Sequence, residues 1–167
     1  SVLAASGSME NYKKKHNDII QKHVEDFLFF DDENPSSVYN CILNARNNAL
    51  VVRTSFTPES WLAINKAYQE ILKLKENKYA TSDLPNLTEW TIEQVNLFRG
   101  TINSLLRNDG YNFLLLGLFV ERADNSARLL DVKYFVLLPK PEYIGSDIDN
   151  MQWSIFCLLY TSDAADE

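Results

Sequence analysis

The sequence predicts an all-α fold, an antiparallel helical bundle. Three observations predict it. Apolar residues make up 46% of the 167, with only 5 Gly and 5 Pro to interrupt regular structure. Apolar positions recur three and four apart in stretch after stretch, which puts them on one face of a helix. No stretch alternates with period two for more than a few residues, so strands are not expected.

The elements follow in chain order. Residues 1–6 read as the end of a helix, with Gly7 suited to the position just past it. A helix from Met9 to Phe30 carries Ile19, Ile20, Val24, Phe27 and Leu28. The run DDENPSS ends it. Asn34 can cap the next helix, with Pro35 at its first position, where a missing N–H costs nothing. That helix reaches about Thr54 and carries the stripe Val38, Ile42, Ala45, Ala49 and Val52, whose alanines suit a close helix–helix approach. Thr57-Pro58 opens a helix bearing Trp61, Ile64, Tyr68 and Ile71, and KLKENKYATSDLPN follows as a polar loop. Thr88 and Glu89 open a helix bearing Trp90, Val95, Phe98, Ile102 and Leu105. Asp109 can cap a helix over about Asn108–Leu138, stopped by Pro139 and Pro141. Asp147 can cap a last helix through Trp153 to Phe156.

Composition narrows the function classes. The net charge of −7 argues against nucleic acid as the main partner, because phosphate binding needs a positive footprint. Lys13-Lys14-Lys15 is a short basic run that reads as a solvated face. No apolar run is long enough to span a bilayer, and residues 1–7 lack the features of a signal peptide. With two cysteines and no disulfide framework, a cytoplasmic protein with no membrane partner is expected. The last eleven residues, CLLYTSDAADE, resemble the translated end of a sequencing adapter. On that reading the natural chain stops near Phe156, and residues 157–167 are a scar.

No glycine-rich phosphate loop, HExxH or CxxC is present, and neither a cofactor nor a metal is expected. His16 and His23 lie seven apart without an acidic cluster of metal-ligand spacing around them. Cys41 is expected to be buried and inert, and Trp61, Trp90 and Trp153 to be core anchors. No catalytic residue can be named.

The candidate site lies on the stretch from Asn108 to Leu138. At about 100° per residue, Leu116, Phe119, Val120, Ala123, Ala127, Leu130, Tyr134 and Leu137 share one broad face. Leu114, Leu118, Leu129, Val132 and Val136 share a second. Between them runs a stripe of Glu121, Asp124, Arg128 and Asp131, with Gly117 beside Glu121, where a backbone or ligand can come close. Two apolar faces imply neighbours on both sides, so the stripe is expected to be partly desolvated, or exposed if a covering helix is missing. Asp124 and Arg128 are spaced to pair. Arg46 and Arg53, seven apart with Asn47 and Asn48 between them, are candidates to answer Glu121 and Asp124.

The segment RNDGYNFLLLGLFVERADNSARLLDVKYFVLLP resembles the signature of the bacterial alpha-E family. FLFFDDENPSSVYNCILNARNNALVVR, with Trp61 and Asn65 after it, and LFRG (Leu97–Gly100) are similar to further blocks of that family. The resemblance implies a longer all-helical protein of two related halves. The first half here ends near residue 107 and the second begins near 108, each incomplete. It also implies company with circularly permuted ATP-grasp ligases and transglutaminase-like proteins, hence a part in peptide synthesis or modification, without an established activity. Glu121, Arg122, Asp124, Arg128 and Asp131 match its motif, as do Arg46, Asn48 and Arg53. Asn47 stands where the family commonly has Glu. Three readings remain: an accessory partner of a ligase, an enzyme or ligand-binding protein using Glu121, or a structural bundle.

Overall fold

The computed structural model of the chain describes residues 2–77, 83–133 and 144–164. Among these the secondary structure is helical: α1 (Val2–Ala5), α2 (Met9–Lys15), α3 (Gln21–Phe29), α4 (Val38–Val51), α5 (Pro58–Glu76), α6 (Leu84–Ile102), α7 (Asp109–Val132) and α8 (Asp147–Ala164), with a 3-10 turn at Arg53–Ser55. The all-α expectation holds. The chain divides into two compact units, Ser1–Gly117 and Leu118–Glu167.

In the first unit the expected helix from Met9 to Phe30 is two helices. His16 leaves helical geometry in extended backbone, and α3 restarts at Gln21. The turn-forming pair Asn17-Asp18 sits in the break. Tyr12, fully buried, donates its hydroxyl to the Asp18 carbonyl at 2.9 Å, which fixes the turn. Leu3, Tyr12 and Phe27 form a small core, with the Tyr12 and Phe27 rings edge to face at 5.3 Å. Gly7 has a positive φ of 67°, as its place after α1 requires.

The DDENPSS loop is more ordered than its composition suggests. Asn34 is buried, and its side chain donates to the Phe27 carbonyl at 2.9 Å and accepts from the Ser36 N–H. It therefore ties the loop together and does not cap α4. The cap is Ser37, whose hydroxyl accepts from the Asn40 N–H. Asn40 in turn donates to the carbonyls of Asp31, Asp32 and Asn34. Asp31 accepts from Lys15 at 2.8 Å and from the N–H groups of Glu33 and Asn34. Burial pushes its carboxyl up, but those three donors outweigh burial and hold it below its ordinary value.

The centre of this unit is α5, which packs against α4 on one side and α6 on the other. Thr57 caps it and Pro58 opens it, as the sequence predicts. Ser60, Ala63, Ile64, Ala67 and Ile71 are buried along it. The short side chains let both neighbours approach, and Ser60 donates to the Thr101 carbonyl of α6 at 3.3 Å. Trp90 Nε1 donates to Glu70 at 2.9 Å, so α5 and α6 run antiparallel. Both expected seams hold at most positions: Val38 and Ile42 are half-buried on α4, and Trp90, Phe98, Ile102 and Leu105 are covered on and after α6, with isolated departures. On α4, Ala49 is buried, while Ala45 and Val52 are exposed and Arg46 is half-buried. Cys41 turns to solvent with Ala45 and Asn48, which corrects the expectation that it is buried. On α6, Val95 is exposed and Gln94 is half-buried. That helix starts at Leu84, four residues before Thr88, with Pro85 in its first turn.

Two helix starts also differ. Asn108, not Asp109, accepts from the Tyr111 N–H at the start of α7. Ser146, not Asp147, accepts from the Asp149 N–H at the start of α8. The expected stop at Pro139 and Pro141 lies outside the described residues.

Two substitutions test this account. Asn34→Ala leaves the Phe27 carbonyl without its buried donor, so urea unfolding should show a loss of about 1–3 kcal/mol. Ala67→Leu forces extra volume onto the α5 seam and should also cost about 1–3 kcal/mol, whereas the same change at exposed Ala45 should cost little.

Candidate functional site

The residues of α7 form a helix as expected, but their surroundings differ. No described residue of α7 is buried. Leu114, Leu118 and Val132 of the expected second face are half-covered, as are Arg122 and Ser126. The other broad face is open as far as Ala127: Leu116, Phe119, Val120, Ala123 and Ala127 are exposed, with Val120 at 61%, while Leu130 is half-covered and Tyr134 and Leu137 lie outside the described residues. As far as Ala127 the helix is therefore covered on one side only, with the stripe at the edge of the open side; beyond it the pattern reverses, Leu129 being exposed and Leu130 half-covered. Glu121, Asp124 and Asp131 are exposed and Arg128 is half-exposed. The partial desolvation expected for the stripe is not found. A Cβ placed on Gly117 would meet nothing within 4 Å, so no backbone approaches there either.

The pairing inside the stripe is as the spacing predicts. Arg128 Nε donates to Asp124 at 2.7 Å, four residues along the helix. That contact raises the guanidinium pKa, helped by the charges of Glu121 and Asp131. Glu121 accepts one long bond, 3.4 Å, from Asn125. The Ser126 hydroxyl donates to the Arg122 carbonyl.

Arg46 and Arg53 belong to the first unit and the stripe to the second, so the network expected between them is contained in neither unit by itself. Within the first unit their neighbours are aromatic. Arg46 Nε donates to Asn65 at 3.1 Å, and its guanidinium lies 4.5 Å from the Tyr68 ring centre and 6.0 Å from that of Trp61. The Arg53 guanidinium lies 4.8 Å from the Trp61 centre. Because α4 and α5 run antiparallel and Arg53 follows α4 directly in the 3-10 turn, the two arginines, seven apart, meet Trp61 and Tyr68, seven apart on α5. Asn48, between the two arginines, is exposed.

The second unit holds a pair that the sequence reading did not single out. Lys133, at the end of α7, donates to Asp149 of α8 at 2.5 Å, and both side chains are almost fully covered. The ammonium also lies 3.9 Å from the Trp153 ring centre. Asp149 Oδ2 accepts from the Gly145 N–H at 2.8 Å. First that N–H and then Lys133 hold the carboxyl below its ordinary value. The available signal was an Asp in the first turn of a helix, where a carboxylate meets free N–H groups.

His16 and His23 are not on one helix, as expected, but end α2 and start α3, with stacked rings 4.9 Å apart. They line an open cavity of about 590 Å³ with Phe27, Phe30 and Leu74. Among the described residues no cluster of three His, Cys, Asp or Glu is placed to hold a metal. None of their helices is long and apolar enough to cross a membrane. The three tryptophans are half-buried, each with a polar or cationic neighbour, so they are not simple core anchors.

Removing one partner of a buried pair leaves the other charged and unanswered. Thermal unfolding should therefore show a larger fall in Tm for Lys133→Met alone than for Lys133→Met combined with Asp149→Leu. The depressed folded pKa of Asp149 contributes stability above the ordinary carboxyl value of 3.8, and that contribution is lost as pH falls through the folded value. Below about pH 4, Asp149→Asn should therefore lose less Tm than the unaltered chain does.

A family model described as Alpha-E, a predicted alpha-helical domain with a conserved ER motif, matches residues 1–165. No curated protein and no solved structure matches the chain. The chain's single Glu-Arg dipeptide is Glu121-Arg122, which puts the ER motif on α7, at the edge of the open face. With nearly every residue matched, and with that dipeptide on its signature helix, the chain belongs to the Alpha-E family.

Proposed function

We propose that this Alpha-E chain is an accessory, non-catalytic component of an ATP-grasp-linked system of peptide synthesis or modification, and that α7 is its docking face. The observation that supports this reading is the open side of α7. Leu116, Val120, Ala123 and Ala127 lie in solvent at spacings of four, three and four, bordered by Glu121, Asp124, Arg128 and Asp131. A contiguous exposed apolar stripe with a charged border is the pattern of a surface that a partner protein covers. The apolar residues supply area and the charged border supplies register and orientation. The resemblance supplies the partner class: a circularly permuted ATP-grasp ligase, or a transglutaminase-like protein from the same system.

The test mixes the purified chain with the purified ligase from its own genome. Co-elution from a sizing column is expected, and Val120→Glu should abolish it without changing the helical circular dichroism. A pair that never associates, or a complex that Val120→Glu leaves intact, contradicts the proposal.

A second reading is favoured by Glu121 itself. Its carboxylate is exposed and, among the described residues, accepts only the long bond from Asn125. On this reading the chain is an enzyme or a ligand-binding protein using the Glu121 stripe with a bound cation or amine. Glu121→Gln would then abolish function while leaving Tm nearly unchanged. A Glu121→Gln protein that unfolds would instead make the stripe structural.

A further inference from the structure

We infer that Arg46 and Arg53, mounted on Trp61 and Tyr68, form a binding site for a small ligand carrying oxyanion groups. The inference rests on the first unit alone and is independent of the docking role of α7.

The two arginines are partnered by rings where six other cations are partnered by acids. The chain carries 23 acidic against 16 basic residues, so a cation has no shortage of carboxylates. Lys15, Lys22, Lys66, Lys75, Arg128 and Lys133 each meet one. Arg46 and Arg53 do not: among the described residues neither has a carboxylate within 4.0 Å, and each lies against an aromatic ring. Stacking a guanidinium on a ring uses its flat face and leaves the N–H groups at its edge free to donate. Among the described residues Arg46 commits only Nε, to Asn65, which keeps its two terminal nitrogens for another acceptor.

The site is also held in place. Trp61, Asn65 and Tyr68 stand at i, i+4 and i+7 on α5, which is anchored by its buried seam. Arg46 and Arg53 stand at the matching separation on and just after α4. The rings restrict the rotamers of both long side chains before any ligand arrives, so less entropy remains to be lost on binding. Two planar forks in an aromatic setting suit bidentate contact to a carboxylate or a phosphate, the acceptor chemistry common to both.

The test follows the six arginine Nε–Hε resonances of the ¹⁵N-labelled chain during titration, at constant ionic strength, with sodium pyrophosphate and separately with sodium glutarate. Saturable shifts at Arg46 and Arg53 are expected with at least one of them. Response to pyrophosphate alone assigns a phosphate ligand, and response to glutarate alone assigns a dicarboxylate. Arg46→Lys and Arg53→Lys keep the charge but lose the fork, so each should weaken binding about tenfold or more. Arg53 is exposed, so its variant keeps the test intact if Arg46→Lys fails to fold. Six resonances drifting together without saturation, no response to either anion, or unchanged affinity in Arg53→Lys would overturn the inference.

Discussion

The first unit depends on how closely other helices can approach α5. Ser60, Ala63 and Ala67 put short side chains where a longer one would hold α4 and α6 apart, and Ile64 and Ile71 fill the space around them. Packing of this kind is intolerant of added volume. The aromatic contacts on both sides of α5 are aligned through it. Arg46 of α4 and Arg53 of the turn after it meet Tyr68 and Trp61 because α4 lies antiparallel to α5 at short range. Trp90 meets Glu70 because α6 does the same on the other side.

The polar loop from Asp31 to Ser37 plays a complementary part. It joins α3 to α4 through side chains bonded to backbone: Asn34 to Phe27, Ser37 to Asp31, and Asn40 to three carbonyls. Lys15 reaches it from α2 through Asp31 and Glu33. The loop therefore organises the approach to α4, whose far end carries the arginines. The features that look like loop composition in the sequence satisfy buried backbone groups in the fold.

Much of the helix pattern was legible from spacing, and the exceptions share a cause. The Thr57-Pro58 start is plain because cap and proline chemistry is local. The break at His16 is not, because Tyr12 bonding to Asp18 depends on the core around it. Asn34 looks like a cap until its bond to Phe27 is seen. On α4 the expected stripe holds at Val38, Ile42 and Ala49 and fails at Ala45, beside a half-buried Arg46 whose stem can cover apolar surface, which a pattern of apolar letters does not register. The site divides in the same way. The Asp124–Arg128 pair is set by helix geometry and could be read directly. The covering of α7 depends on neighbours, and the pairing of Lys133 with Asp149 bridges two helices, so neither could be read from one helix alone.

Two kinds of surface result. The face where α4 meets α5 is held from beneath by a buried seam and presents preorganised donors. As far as Ala127, α7 is covered on one side and open on the other, with the ER dipeptide at its edge. Amide hydrogen exchange of the free chain, followed residue by residue, tests this contrast most directly. The account predicts that α5 from Ala63 to Ile71 exchanges slowest and that α7 from Phe119 to Asp131 exchanges much faster, because few apolar contacts hold it closed. Protection of α7 as strong as that of α5 would contradict the account.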